Sequence, residues 1–246
     1  MRATKKKSAS KPKPKSSEPK LTQTGIDGLD QLVSGGFPPG SIVTLTGETG
    51  TGRTTFAMQF LYNGAVKYKE PGIYISFEEP KYLLFRNMQR FKWNLEKLEA
   101  EHKLVFIQYP PHEIDHFLMQ ENVIHELVRE LGIKRMVIDS ITPLALLYSD
   151  EQERRKAFLS LIDKLRKWGC TTLILAGSTE SRANTPNSAY GIENLSDGWI
   201  SLYQIRDGME RKRALEIIKF RGVSHGCKLC PVKLSQTGIK IESKGK

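Results

Sequence analysis

The chain is poor in the residues that build stapled, exported or membrane-spanning proteins. Only three cysteines stand in its 246 residues, Cys170, Cys227 and Cys230. Three make no disulfide framework, and a chain this long does not need one. A reduced, cytoplasmic setting is therefore expected. No apolar run approaches the ~20 residues of a membrane span, so no membrane insertion is expected. The lysine-rich start resembles the opening of a signal peptide, but no apolar stretch follows it, so export is not expected.

Acidic residues are the scarcer sign, 27 Asp and Glu against 38 Lys and Arg, for a net charge of +11. The imbalance sits mostly in residues 1–20, "MRATKKKSASKPKPKSSEPK". Seven Lys and one Arg against one Glu make that stretch +7 and leave +4 for the other 226 residues. Rich in Lys, Pro and Ser and lacking an apolar core, residues 1–20 are expected to be a disordered basic tail. Two readings stand for it, a solubilising tail or an arm for nucleic acid or an acidic surface. The remainder, 21–246, reads as one domain.

Apolar patterning along that domain alternates between two periods. "SIVTLTG" (41–47) is a β-branched run entering a glycine loop, a buried strand. In "TTFAMQFLYNGAVKYKE" (54–70), Phe56, Phe60 and Gly64 lie four apart, as do Ala57, Leu61 and Ala65, and Pro71-Gly72 stops the helix. Strands are predicted at 72–79, 103–109, 135–139 and 171–177, with helices at 81–91, 113–131 and 150–169. Asp150 is the expected cap of the last helix and Gly169 its stop. Such alternation implies a mainly parallel sheet covered on both faces, an α/β fold. From about 198, "WISLYQI", "ALEIIKF", "PVKLS" and "GIKIE" follow in quick succession, with Gly208 and Gly238 marking turns. They read as a C-terminal antiparallel extension of the same sheet.

"GETGTGRTT" (47–55) carries the clearest chemistry. It fits the phosphate-binding pattern Gly-x4-Gly-Lys-Ser/Thr, except that Arg53 stands where lysine is usual. The loop Gly47, Glu48, Thr49, Gly50, Thr51, Gly52 would turn its amides onto phosphates, with the N-terminus of the helix at Arg53, Thr54 and Thr55 behind it. Thr54 is a Mg²⁺ ligand in that pattern. Arginine keeps the charge but replaces a compact ammonium by a wider planar fork. Nucleotide binding is thus expected, and hydrolysis is left open. Asp139 closes the apolar run "MVI" at a strand end, the position of a second Mg²⁺ ligand. Glu78-Glu79 end another strand. One of them either activates the attacking water or belongs to a solvated strand end. Lys219 and Arg221 in "KFRG" share a strand face and either clamp a phosphate or form a basic surface. Cys227-Lys-Leu-Cys230 supplies two thiols, short of a four-ligand zinc site. It reads as a turn with incidental thiols, with zinc and redox pairing as alternatives.

A P-loop, a strand ending in Glu-Glu and then a strand ending in Asp is the order of the RecA superfamily. Within it the chain resembles the KaiC-like ATPases. "TGIDGLDQLVSGGFPPGS", "TGETGTGRTTFAMQFLYNGA", "GIYISFEEP", "VIDSIT", "YGIENLSDGWISL" and "KFRGVSH" carry the likeness over about residues 22–243. The resemblance implies a RecA-like P-loop fold that takes ATP and Mg²⁺. Glu78 would be the catalytic base with Glu79 beside it, and Thr54 and Asp139 would hold the metal. Lys219, Phe220, Arg221 and His225 would reach the nucleotide of a neighbouring subunit, which implies a ring of identical chains, usually a hexamer. Three residues depart from the family pattern. Arg53 replaces the lysine, Arg90 stands where a small polar residue near the base is usual, and Val223 replaces a threonine. Neither a paired second domain nor a phosphorylated tail is expected from these residues, so a clock role is not implied.

Three functions follow. The first is a slow Mg²⁺-dependent ATPase acting as a regulatory switch in a homo-oligomeric ring. The second is an ATP-binding module that does not hydrolyse, favoured by Arg53. The third is a recombinase-like binder of single-stranded nucleic acid through "ESRANTPNSAYGIEN" (180–194), whose one Arg and one Tyr are poor material for a stacking groove.

Overall fold

The computed structural model describes residues 20–178 and 190–243. The basic tail up to residue 19, and residues 180–189 of the nucleic-acid loop expected at 180–194, lie outside that range.

The helices are α1 (Leu29–Leu32), α2 (Arg53–Lys67), α3 (Lys81–Met88), α4 (Leu95–Ala100), α5 (Ile114–Met119), α6 (Glu121–Glu130), α7 (Thr142–Leu146) and α8 (Glu151–Trp168). The strands are β1 (Ile42–Gly47), β2 (Gly72–Ser76), β3 (Leu104–Gln108), β4 (Arg135–Asp139), β5 (Thr171–Gly177), β6 (Gly198–Asp207), β7 (Glu210–Phe220), β8 (Cys230–Ser235) and β9 (Gly238–Ile241). They form one nine-stranded sheet in the order β3-β2-β4-β5-β1-β6-β7-β8-β9. The first six strands of that order run parallel, including β6, which pairs with β1 from Val43↔Gly198 to Gly47↔Leu202. The antiparallel extension begins one strand later than the sequence pattern suggests, at β7. Apolar alternation cannot distinguish a parallel neighbour from an antiparallel one. Asp207↔Glu210 closes the β6–β7 turn with Gly208 at φ 59°, a left-handed position suited to glycine.

Alternate residues of the central strands feed two cores. Val43, Leu45, Tyr74, Val137, Leu173 and Leu175 face the α2 side. Ile42, Ile73, Ile75, Met136, Ile138 and Ile174 face the α8 side. Asp150 caps α8 by accepting from the Gln152 and Glu153 amides, and Gly169 ends it at φ 70°. The predicted helix 113–131 is two helices, because Gln120 leaves the helical region and its side-chain oxygen accepts from the Tyr109 hydroxyl at 2.7 Å. The buried residues Ile114, Phe117, Ile124 and Val128 keep a helical spacing across the break, which hides it from the sequence. The strand predicted at 72–79 stops at Ser76. There the serine hydroxyl donates to the Glu79 carbonyl and accepts from the Glu79 amide, turning the chain.

One buried charge ties the base of this sheet together. Arg135 opens β4 fully buried. Its guanidinium donates to Glu70 Oε2 at 2.6 and 2.8 Å, to the Phe60 carbonyl at 2.9 Å and to the Gln23 carbonyl at 2.7 Å. The rings of Phe60 and Tyr68 lie 4.6 and 5.2 Å away. Burial lowers its pKa and the contact with Glu70 opposes that. A Cβ on Gly64 would lie 2.4 Å from Arg135 Cδ, so α2 can cross here only as glycine. Arg135→Ala leaves Glu70 and two carbonyls without their donor. It should cost about 3–5 kcal/mol in chemical denaturation. A loss under ~1 kcal/mol would show that the network is not structural.

Candidate functional site

Two strands deliver the site residues to one end of the sheet. β1 ends at Gly47 and β4 at Asp139, with β5 between them. Gly50 (φ 84°) and Gly52 (φ 104°) take the left-handed turns of the loop that joins β1 to α2. Thr51 braces that loop by donating its hydroxyl to the Glu48 carbonyl at 2.8 Å. Glu48, Thr49 and Gly50 are exposed at its crest, while Gly52, Arg53, Thr54 and Thr55 are half-buried. Arg53 is the first residue of α2, at the end where helical amides point outward.

Thr54 Oγ1 donates to Asp139 Oδ2 at 3.1 Å. The Tyr74 hydroxyl donates to the same oxygen. Asp139 keeps part of its surface open but lies deep between strands. Burial raises its pKa, while the bonds from Tyr74 and Thr54 and the charge of Arg53 oppose the rise. Burial likewise lowers the pKa of Arg53, against the attraction of Asp139 and Glu78. Among the described residues Arg53 has no ion-pair partner within 4 Å, so its guanidinium is available to an anion.

The two adjacent carboxylates part company beyond the strand end. Glu78 is exposed and accepts from Ser140 Oγ at 3.1 Å, beside Asp139. Glu79 is half-buried and accepts from Asn87 at 2.8 Å. Burial raises its pKa, which that bond opposes. Glu78 therefore lies with Arg53, Thr54 and Asp139, and Glu79 is tied back to α3. The donor set suits Mg²⁺, which prefers hard oxygen ligands and retains waters. The Thr54 hydroxyl and Asp139 carboxylate would hold the metal, and the glycine loop and Arg53 the phosphates.

Lys219, Phe220, Arg221 and His225 are not brought to this place within one chain. Lys219 is level with Trp199 and Thr44, two strands across from β1 and about 10 Å below Gly47 at ~3.3 Å per residue. Its ammonium donates to the Glu193 carbonyl at 2.8 Å, and Arg221 approaches the Asn194 carbonyl at 3.4 Å. Phe220 is buried against Phe37, and His225 sits by Gly226. Arg90 is exposed over the ring of Phe91. Cys227 is exposed and Cys230 buried, both free thiols, and no group of three His, Cys, Asp or Glu is placed for a metal among the described residues.

The sequence reading missed Tyr74, Ser140, Gln204 and Arg213. Tyr74 lies two residues before Ser76 on a strand predicted from the sequence, and its hydroxyl was the available signal. A buried tyrosine needs a partner for its O–H. Gln204 and Arg213 both bond the Gly50 carbonyl from β6 and β7, at 2.7 Å for Gln204. No local pattern announces that contact.

The model of the KaiC ATPase family matches residues 22–246. The circadian clock oscillator protein KaiC of Parathermosynechococcus lividus is 34% identical over 89% of this chain, but only 42% of its own length is covered. A UPF0273 protein of Thermotoga maritima is 34% identical over 90% of this chain and 96% of its own length. This chain thus spans under half of the KaiC proteins it matches and nearly all of the shorter relative. The crystal structure of a KaiC-like protein from Pyrococcus horikoshii superposes with a TM-score of 0.80 at 37% identity, covering 91% of this chain and 99% of that one. With its P-loop, its strand order and these likenesses together, the chain belongs to the KaiC-like ATPases of the RecA superfamily.

Proposed function

We propose that this protein is a slow Mg²⁺-dependent ATPase that acts as a switch in a ring of identical chains. The observation that carries the reading is the gathering of Arg53, Thr54, Asp139 and Glu78 at one sheet end, with Arg53 unpaired among the described residues. Bound Mg²⁺ would neutralise charge on the phosphates. The chain's own part is to orient. The loop amides cradle the phosphates, and Arg53 offers its charge where the lysine ammonium normally sits. Glu78, exposed and steadied by Ser140, orients the attacking water and takes its proton.

The basic residues supply the argument for a ring. Lys219 and Arg221 sit at the opposite end of the sheet from their own P-loop. A nucleotide phosphate reached from that end would be another copy's, a heterologous contact that closes a ring when the rotation permits. The second reading, a module that holds ATP without cutting it, rests on Arg53. The wider guanidinium shifts the charge, and a misplacement of about 1 Å costs about a hundredfold in rate.

Mg²⁺·ATP titrated into the protein should saturate at one nucleotide per chain; absence of binding contradicts both readings. Steady-state turnover separates them. Under the ATPase reading the wild-type chain turns over measurably, Arg53→Lys gains about 10–100-fold, and Glu78→Gln loses about 10²–10⁴-fold. A silent wild type beside an active Arg53→Lys establishes the binding module instead. For the ring, Arg221→Ala protein and Glu78→Gln protein should each be nearly inactive yet regain turnover when mixed. Mixed rings contain interfaces with an intact Glu78 on one side and an intact Arg221 on the other. No recovery in mixtures that co-assemble contradicts the assignment of Arg221 to a neighbour's site.

A further inference from the structure

The β6–β7 hairpin outruns the rest of the sheet. β6 leaves β1 after Leu202, and β7 meets β8 only from Arg213 to Leu215. Beyond those pairs the two strands continue alone to a turn where Met209 is fully exposed. The base of this projection touches the phosphate loop. Gln204 and Arg213 pair directly across the two strands, so their side chains share a face. Both reach the Gly50 carbonyl, Gln204 Nε2 at 2.7 Å and Arg213 Nη2 and Nε at 3.3 and 3.4 Å. Arg211 approaches Gln204 Oε1 at 3.4 Å from the same strand face, which fixes the side-chain amide with its NH₂ toward the loop.

Gly50 is a demanding place for such a contact. It lies on the exposed crest, at φ 84°, and a Cβ there would stand 3.1 Å from Gln204 Nε2. A phosphate-binding nest needs its amides turned inward and hence its carbonyls turned away. Drawing the Gly50 carbonyl toward the hairpin holds that orientation before any anion arrives. The same peptide is held from its other side by the Thr51 amide, which donates to the Glu48 carbonyl at 3.3 Å, so the hairpin adds a second hold to a turn whose glycine is costly to order. Arg213 also brings a second cation to a loop whose lysine is an arginine, and only two of its five donors are spent on Gly50.

We propose that Gln204 and Arg213 are positioning residues for the phosphate loop, and that through them the loop's grip on nucleotide depends on the β6–β7 hairpin. The proposal rests on the ATP-binding reading above and deepens it. It makes the hairpin a lever: whatever displaces its strands withdraws donors from Gly50, and nucleotide binding in turn steadies the hairpin.

The test is Mg²⁺·ATP affinity in a double-mutant cycle on the full chain. Gln204→Ala and Arg213→Ala should each weaken binding about 5–10-fold, and the double variant by less than the product, because both act on one oxygen. Arg213→Lys should recover most of the Arg213→Ala loss, and melting temperatures of the free proteins should stay within a few degrees of wild type. A wild-type readout needs no variant: ATP should slow amide hydrogen exchange in residues 203–214. Unchanged affinity in all variants, losses that multiply, or hairpin exchange indifferent to ATP would each overturn the proposal while ATP binding stands. A wild type that binds no ATP overturns the ATP-binding reading and this proposal together.

Discussion

The nucleotide end of this molecule depends on one register. Thr44, Ile174 and Ile138 share a level across β1, β5 and β4. That alignment sets Asp139 beneath the loop leaving Gly47, where Thr54 Oγ1 meets its carboxylate at 3.1 Å. A slip of one residue in β4 would turn Asp139 to the other face and exchange Met136 and Ile138 with Val137 between the two cores. The apolar alternation that packs the sheet is therefore the same constraint that builds the Thr54–Asp139 pair. Arg135 anchors the other end of β4 through Glu70 and the carbonyls of Phe60 and Gln23, so the strand is held at both ends by polar contacts.

At the top of that strand, charges of both signs share a partly enclosed space. Burial works against the ionised forms of Asp139 and Arg53, and each stabilises the other from beyond ion-pair distance. Such an arrangement suits a transferable partner. Phosphates would satisfy the guanidinium and a divalent cation the carboxylate, offsetting the costs of burial if both bind there. Lysine would deliver its charge as a point, whereas arginine spreads it over a fork, and that difference bears on cutting far more than on holding.

Much of this was legible in the chain itself. The strands β1, β4 and β5 and the helix α8, with its Asp150 cap and Gly169 stop, announce themselves by periodicity and end signals. So does the phosphate loop, because its spacing and its strand-loop-helix context agree. Other features were hidden for identifiable reasons. The break at Gln120 falls inside an unbroken apolar period and depends on Tyr109, eleven residues away. The early end of β2 depends on a serine turning onto its own backbone. Glu78 and Glu79 diverge because Ser140 and Asn87 take one each, contacts made by folding and not by spacing. The tie from Gln204 to Gly50 spans 154 residues and leaves no trace in local pattern.

The central claim is that Arg53 stands in for the P-loop lysine, with Thr54 and Asp139 on the metal. A crystal structure of the full chain with Mg²⁺ and a non-hydrolysable ATP analogue tests it most directly. The account predicts triphosphate along the 47–55 loop, the Arg53 guanidinium within hydrogen-bond distance of β- or γ-phosphate oxygens, and Thr54 bound to the metal with Asp139 joined to it directly or through water. A nucleotide bound elsewhere, or an Arg53 side chain turned away from the phosphates, would contradict it.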